Sequence, residues 1–164
     1  MSHRRLGAAM SLALLALAVS AGVAGFTRTH PTWWQAAVSL AVLGGAFPMI
    51  LAVNSRIVPV FSRRDWGSLP LVEAMIAFAI AGGWIVFFGR ADNRDLLVTV
   101  GSALSLLAGV LFMYNIGQLF RQSQPKRPAP PLPFPDQAIA DRIATRFTRL
   151  SSIWLLVGLV VGFV

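Results

Sequence analysis

Residues 33–53 read WWQAAVSLAVLGGAFPMILAV and carry no charged side chain. A helix rises about 1.5 Å per residue, so a run of this length spans the roughly 30 Å hydrocarbon core of a bilayer. Three other blocks are equally apolar, namely 7–26, 70–89 and 96–120. The sequence therefore predicts an all-α fold, a polytopic transmembrane helical bundle whose four complete spans lie within residues 1–121.

The rest of the chain falls into three short segments. Residues 122–135 are rich in proline and basic side chains, which is typical of an extended cytoplasmic linker. Residues 136–150 predict an amphipathic interfacial helix, and residues 151–164 predict the start of a fifth transmembrane helix. The apolar stripe of the amphipathic helix consists of Ile139, Ile143, Phe147 and Leu150.

The two ends of the chain resemble each other. RLGAAMSLALLALAVSAGVAGF begins at Arg5, and RLSSIWLLVGLVVGFV begins at Arg149. An Arg-Leu pair that opens an apolar run at both places is typical of a tandem repeat of a four-helix unit. We therefore expect residues 1–121 to be the first unit of such a repeat, in a protein that continues past Val164. The alternative is a half-buried final segment.

The net charge of +8 is unevenly distributed along the chain. If the N-terminus is cytoplasmic, that side holds eleven of the fourteen basic residues, and the other side holds Arg28, Arg90 and Arg94. Cytoplasmic loops carry such an excess, so we expect a multi-pass protein of the cell inner membrane with a cytoplasmic N-terminus. The charge then faces anionic lipid and not nucleic acid. A cleaved signal peptide is the alternative interpretation of the first apolar block.

Several chemistries lack the residues that they need. The chain has no cysteine, which excludes thiolate metal ligands, disulfides and thiol catalysis. Its two histidines, His3 in the N-terminal tail and His30 in a loop, do not reach mid-membrane depth. No phosphate-binding glycine loop or serine nucleophile motif is present. We therefore predict no catalytic, metal-binding or cofactor-binding residue in this region, and an enzyme is the less favoured interpretation.

Polar side chains recur where the apolar blocks meet the expected cytoplasmic side. Asn54 and Arg56 follow the second span, Glu73 lies in the first turn of the third, and Asn115 lies near the end of the fourth. They share one depth, so we expect a polar cluster in which Arg56 pairs with Glu73. Two interpretations remain open: an entry point for protons or anions, and side chains that merely snorkel, cap and join helix ends.

Small residues, proline and tryptophan predict how the spans are arranged. Glycines that let helix backbones approach closely in lipid occur in the third and fourth spans, namely Gly82, Gly83, Gly101 and Gly109. Pro48 predicts a kink in the second span, because proline lacks a backbone donor. The aromatic residues that flank this span are typical of interfacial anchors, namely Trp33, Trp34 and Trp66.

The second span and its exit, SLAVLGGAFPMILAVNSRIVPVFSRRDW, resemble the signature helix of NnrS-type membrane proteins and of proteins related to the main subunit of C-type haem-copper oxidases. The matching residues, in chain order, are Gly44, Met49, Ile50, Pro59, Phe61 and Arg63. The fourth span resembles the following helix of that family through Gly101, Phe112 and Asn115. The family histidine falls at Ser39, and serine does not replace it as a haem or copper ligand. The resemblance thus implies haem or copper only if a missing C-terminal part supplies the ligands.

Three functions follow from these patterns. The resemblance implies an inner-membrane protein linked to respiration or nitric oxide metabolism, without a catalytic centre in this region. The polar cluster predicts, as an alternative, a transporter or permease component with an inner-face polar gate. The linker and the amphipathic helix predict a membrane accessory subunit that docks a partner. The expected partners are the lipid bilayer and either another membrane protein or a second copy of the chain.

Overall fold

A computed structural model describes residues 3–27 and 30–122, and beyond them the helical positions 139, 142–144, 146–147, 150–151, 153–154 and 157–158. All regular structure in this described part is helical, which confirms the all-α helical bundle. The elements are α1 (His3–Phe26), α2 (Pro31–Ser39), a π-helical segment (Leu40–Ala46), α3 (Phe47–Ser62), α4 (Leu69–Ala91) and α5 (Asp95–Arg121).

Within the described residues, four helical stretches are long and apolar enough to cross a membrane, and the chain is a multi-pass membrane protein. They are Gly7–Phe26, Pro31–Val60, Leu69–Ala91 and Asp95–Arg121. The second, at 30 residues, reaches about 45 Å and exceeds the predicted 33–53. Asn54 and Arg56 therefore lie inside a helix that continues to Ser62, and not at its exit.

Successive spans run in opposite directions, so the bundle has two sides. The N-terminal side holds the start of α1, the loop from α3 to α4 and the end of α5. The opposite side holds the connections from α1 to α2 and from α4 to α5. At that opposite side the backbone of Gly89 near the end of α4 lies against Val98 near the start of α5.

The second span changes helix type in its middle. At the end of the π-helical segment the Phe47 N–H donates to the Val42 carbonyl, five residues back. Pro48 follows directly, and in a regular α-helix its ring would clash with the carbonyl four residues earlier. The wider turn of a π-helix accommodates the proline. The distortion expected at Pro48 thus takes the form of seven π-helical residues before it.

Glycines place three helices in backbone contact. A Cβ built at Gly83 of α4 would lie 2.4 Å from Gly44 Cα in the π-helical segment. A Cβ at Gly82 would lie 2.7 Å from the Gly101 carbonyl oxygen of α5. Such distances leave no room for a side chain. The close helix contacts predicted at Gly82, Gly83 and Gly101 are therefore confirmed.

Apolar side chains fill the bundle around these contacts. On the N-terminal side the buried core includes Leu51, Met75 and Phe112. On the opposite side Phe87 packs edge-on against Trp33, with ring centroids 6.4 Å apart. In lipid, such packing holds helices together in place of the hydrophobic effect.

The C-terminal predictions fall mostly outside the described residues. Of the linker 122–135, the structure describes only Gln122. The four apolar stripe residues of the predicted amphipathic helix are helical and exposed: Ile139, Ile143, Phe147 and Leu150. The arginines described in this segment, Arg142 and Arg146, are exposed as well, so the interfacial position stays a prediction.

Candidate functional site

No hydrogen bond or ion pair joins the four residues of the predicted polar cluster, all of which are described. The Asn54 amide donates to the Ile50 carbonyl of its own helix at 2.8 Å. Arg56 is exposed. Asn115 is buried, and its Nδ2 has no hydrogen-bond partner among the described residues. Asn54, Arg56 and Asn115 therefore lie in different environments and do not contact one another through hydrogen bonds.

Glu73 pairs with Arg5 of α1, and not with Arg56. The first turn of α1 lies beside the start of α4, so the two side chains meet on the N-terminal side of the bundle. Their side chains are 69% and 28% exposed, and a pair so accessible to solvent contributes at most about 1 kcal/mol. The predicted Arg56–Glu73 pair is therefore wrong, and the carboxylate joins two helices.

Further polar contacts join the N-terminal side. Arg64 in the loop between α3 and α4 donates through Nη1 to the Leu119 carbonyl of α5 at 3.2 Å. Its guanidinium also lies 5.9 Å from the centre of the Phe120 ring. Gln122 Nε2 donates to the Asp65 carbonyl at 2.9 Å. These contacts hold the loop between α3 and α4 against the end of α5.

Trp66 hydrogen-bonds a carbonyl that proline leaves without a donor. Pro59 lies inside α3 and has no N–H, so the Ser55 carbonyl four residues earlier loses its helical partner. The Trp66 Nε1–H donates to that carbonyl at 2.8 Å. The spacing of Ser55 and Pro59 in the sequence signals the free carbonyl, but only the fold identifies its donor.

A cleft of about 630 Å³ extends from the opposite side of the bundle toward its middle. Residues from α2, the π-helical segment, α3, α4 and α5 line it, and Trp154 and Gly158 contribute to one edge. Its polar lining consists of Gln35, Ser39, Arg90, Ser102 and Ser105. This cleft is not predictable from the sequence, because its polar residues belong to three separate spans and form no motif.

Arg90 is the one charged residue among the described residues that line the cleft. Its Nε atom is buried and has no hydrogen-bond partner among the described residues. A neighbouring carboxylate, Asp92, lies 3.8 Å from Arg94. A buried donor without an acceptor costs about 1–3 kcal/mol, and more when it is charged. The guanidinium of Arg90 is the one cationic group that the described lining offers to an anion in the cleft.

The serines of the cleft differ in what they offer a ligand. The Ser39 hydroxyl donates to the Gln35 carbonyl at 2.8 Å, and the Ser105 hydroxyl donates to the Gly101 carbonyl at 3.1 Å. Both can therefore still accept a hydrogen bond. No hydrogen bond to another described residue engages the Ser102 hydroxyl, so it can donate. The donors available to a ligand are thus Arg90 and Ser102, together with the Gln35 amide and the Trp34 indole N–H.

No group of three or more His, Cys, Asp or Glu side chains that could hold a metal ion occurs in the part of the chain that the structure describes. Comparisons with protein-family models, curated proteins and solved structures find no match to this chain. The resemblance to NnrS-type proteins thus stays a prediction, and the function has to be argued from the geometry of the bundle.

Proposed function

We propose that the chain is a ligand-binding component of a transporter or permease in a bacterial inner membrane, with a cytoplasmic N-terminus. The observation that carries this proposal is the cleft, with Arg90 as the one charged residue among the described residues of its lining. Pockets of roughly 300–1,000 Å³ with an apolar wall and a few polar groups are the usual form of small-molecule sites. The cleft has this size and composition.

The orientation is supported by the charges of the two sides. The N-terminal side carries Arg5, Arg56, Arg63 and Arg64, together with Arg121 at the end of α5. An excess of basic residues marks the cytoplasmic face of a membrane protein. The cleft would then open toward the outer face of the membrane.

The two sides also differ in the polar contacts that join their helices. On the N-terminal side, Arg5–Glu73, Arg64–Leu119 and Gln122–Asp65 connect helices across the bundle. On the opposite side the cleft separates α2 and the π-helical segment from α5. A transport protein that is closed inside and open outside has this arrangement. The predicted inner-face gate of Asn54, Arg56, Glu73 and Asn115 corresponds, in this proposal, to the closed side.

Cysteine accessibility tests both the cleft and the orientation, because the chain has no native cysteine. We expect Ser102→Cys to react with a membrane-impermeant thiol reagent added to intact cells, since the reactive thiolate forms only where water reaches. Gly67→Cys, in the loop between α3 and α4, should react only after the cells are permeabilised. The labelled fraction is measured by mass spectrometry of the purified protein.

Two neighbours of Ser102 provide matched controls. Val100 and Ala103 lie at nearly the same depth on α5, are exposed on the bundle surface and do not line the cleft. Cysteines there should face lipid and stay unreactive. If Ser102→Cys is as unreactive as both controls from either side of the membrane, the open cleft is wrong. Labelling of Gly67→Cys in intact cells would reverse the orientation.

A second candidate is an NnrS-like protein of respiration or nitric oxide metabolism. One observation favours it: Ser39, which aligns with the family histidine, lines the cleft. A side chain at position 39 would therefore reach a haem or copper bound in the cleft. For this candidate we expect the purified protein to contain haem or copper, measured by its optical spectrum and by elemental analysis. Protein free of both after expression with added haem and copper would remove the redox role.

A further inference from the structure

The cleft changes from polar to apolar along its length. Gln35 and Arg90 lie near the opposite side of the bundle, at the start of α2 and in the last turn of α4. Phe47 and Ile50 lie at the other end of the cleft, near the middle of the second span. The sixteen residue steps from Trp34 to Ile50 correspond to roughly 24 Å along an α-helix. The cleft therefore reaches from the membrane boundary toward the bilayer centre.

The wall of the cleft is continuous with the lipid-facing surface. Val38, Val42 and Ile50 line the cleft, yet they are 45%, 53% and 44% exposed. Residues so exposed on a membrane-spanning bundle contact acyl chains. The cleft thus opens sideways into the bilayer as well as toward its polar end. Its apolar wall offers water molecules few hydrogen-bond partners.

The described residues of the segment that follows the linker leave this space open. Trp154 and Gly158 contribute to one edge of the cleft, but Trp154 remains 71% exposed. A Cβ built at Gly158 would meet no atom within 4 Å. The described residues of this segment therefore border the cleft without occupying it.

We infer that the cleft binds a single-chain amphiphile with an oxyanion head, which enters from the outer leaflet with its head beside Arg90 and its chain along Val42 and Ile50. This inference rests on the proposed function and names the class of its ligand. A guanidinium presents paired donors that match a carboxylate or a phosphate, and the Ser102 hydroxyl adds a third. The head would pair with the Arg90 guanidinium, and the chain would replace lipid against the apolar wall.

The test measures how amphiphiles protect Ser102→Cys from the impermeant thiol reagent, in the purified full chain reconstituted in nanodiscs. We expect dodecanoate or dodecyl phosphate to slow labelling about tenfold or more, the ratio that corresponds to about 1.4 kcal/mol. The comparison between these two probes identifies a fatty acid or a lipid phosphate as the source. Butyrate, inorganic phosphate and dodecyltrimethylammonium should give no protection at the same concentration.

Arg90→Gln should abolish the protection, and Arg94→Gln should leave it unchanged. Arg94 lies four residues further on the same side of the bundle, with a side chain that is 68% exposed and outside the cleft. Arg90→Lys keeps the charge but loses the paired donors, so it should protect weakly. Weak protection in Arg90→Lys, together with unchanged labelling of Gly67→Cys, would show that Arg90→Gln loses the binding site and is not misfolded.

The outcomes separate this inference from the proposed function. Protection by inorganic phosphate alone would replace the amphiphile by a small soluble anion and leave the proposed function intact. Equal protection by dodecyltrimethylammonium would remove the role of the anionic head. Protection that survives in Arg90→Gln would overturn the assigned head site. A Ser102→Cys that no reagent labels, in any membrane, would overturn the proposed function itself.

Discussion

Gly83→Ala should prevent the helices from packing as they do in this structure. The added Cβ would lie 2.4 Å from both Gly44 Cα and Gly44 N, and 2.6 Å from the Leu43 carbonyl carbon. All three atoms belong to the backbone of the π-helical segment, so no side chain can rotate away. Overpacking of a core costs about 1–3 kcal/mol when side chains can move, and we expect a larger loss here. Thermal unfolding in detergent, followed by size-exclusion chromatography, measures it.

Gly117→Ala is the matched control on α5. A Cβ at Gly117 would meet no atom within 4 Å. Alanine is also favoured over glycine in a helix by up to about 1 kcal/mol. This variant should unfold at the same temperature as the unmodified chain or slightly higher. If Gly83→Ala unfolds at the same temperature as Gly117→Ala, the contact between α4 and the π-helical segment is wrong.

Trp66→Phe should destabilise the end of α3 by about 1–3 kcal/mol, the usual cost of a buried polar group without a partner. The ring remains apolar, but the Nε1–H that reaches the Ser55 carbonyl at 2.8 Å is lost. Because Pro59 has no N–H, the carbonyl finds no replacement within the helix. The loss is measured as a shift of the thermal unfolding midpoint. Trp33→Phe is the control, since Trp33 packs edge-on against Phe87 and needs only its ring.

Pro59→Ala should reduce the effect of Trp66→Phe. Alanine restores a backbone N–H four residues after Ser55, so the carbonyl has a helical donor again. The two substitutions should therefore be non-additive, with Trp66→Phe costing less in the Pro59→Ala background. Additive effects would show that the indole N–H does not compensate for the proline.

The polar residues show where prediction from the sequence fails. Glu73 was expected to pair with Arg56, since both lie near the same face of the membrane. In the structure its partner is Arg5, 68 residues away, because α1 packs beside the start of α4. Depth in a membrane follows from position along an apolar run, but the rotation of each helix about its axis does not. A shared depth therefore does not predict a contact.

The cleft illustrates the same limit. The sequence identifies Arg90 only as one of three basic residues on the side of the membrane that carries few charges. In the structure Arg90 lines the same cleft as Ser39 and Ile50, and its Nε is buried. This placement depends on how α4 and α5 pack against the second span. The glycines that allow this packing were predicted, because a missing side chain is visible in the sequence. The space left beside them was not.

The sequence alone determined that the described part of this chain is all-α and holds four helices long and apolar enough to cross a membrane, since the length and apolarity of each run are local properties of consecutive residues. It also indicated Gly82, Gly83 and Gly101 as points of close approach, although not which helices meet there. Only the tertiary structure decided that Glu73 meets Arg5, that Trp66 completes the hydrogen bonding of α3, and that a cleft forms beside Arg90. Each of these depends on which faces of distant helices come together, and no local pattern specifies that.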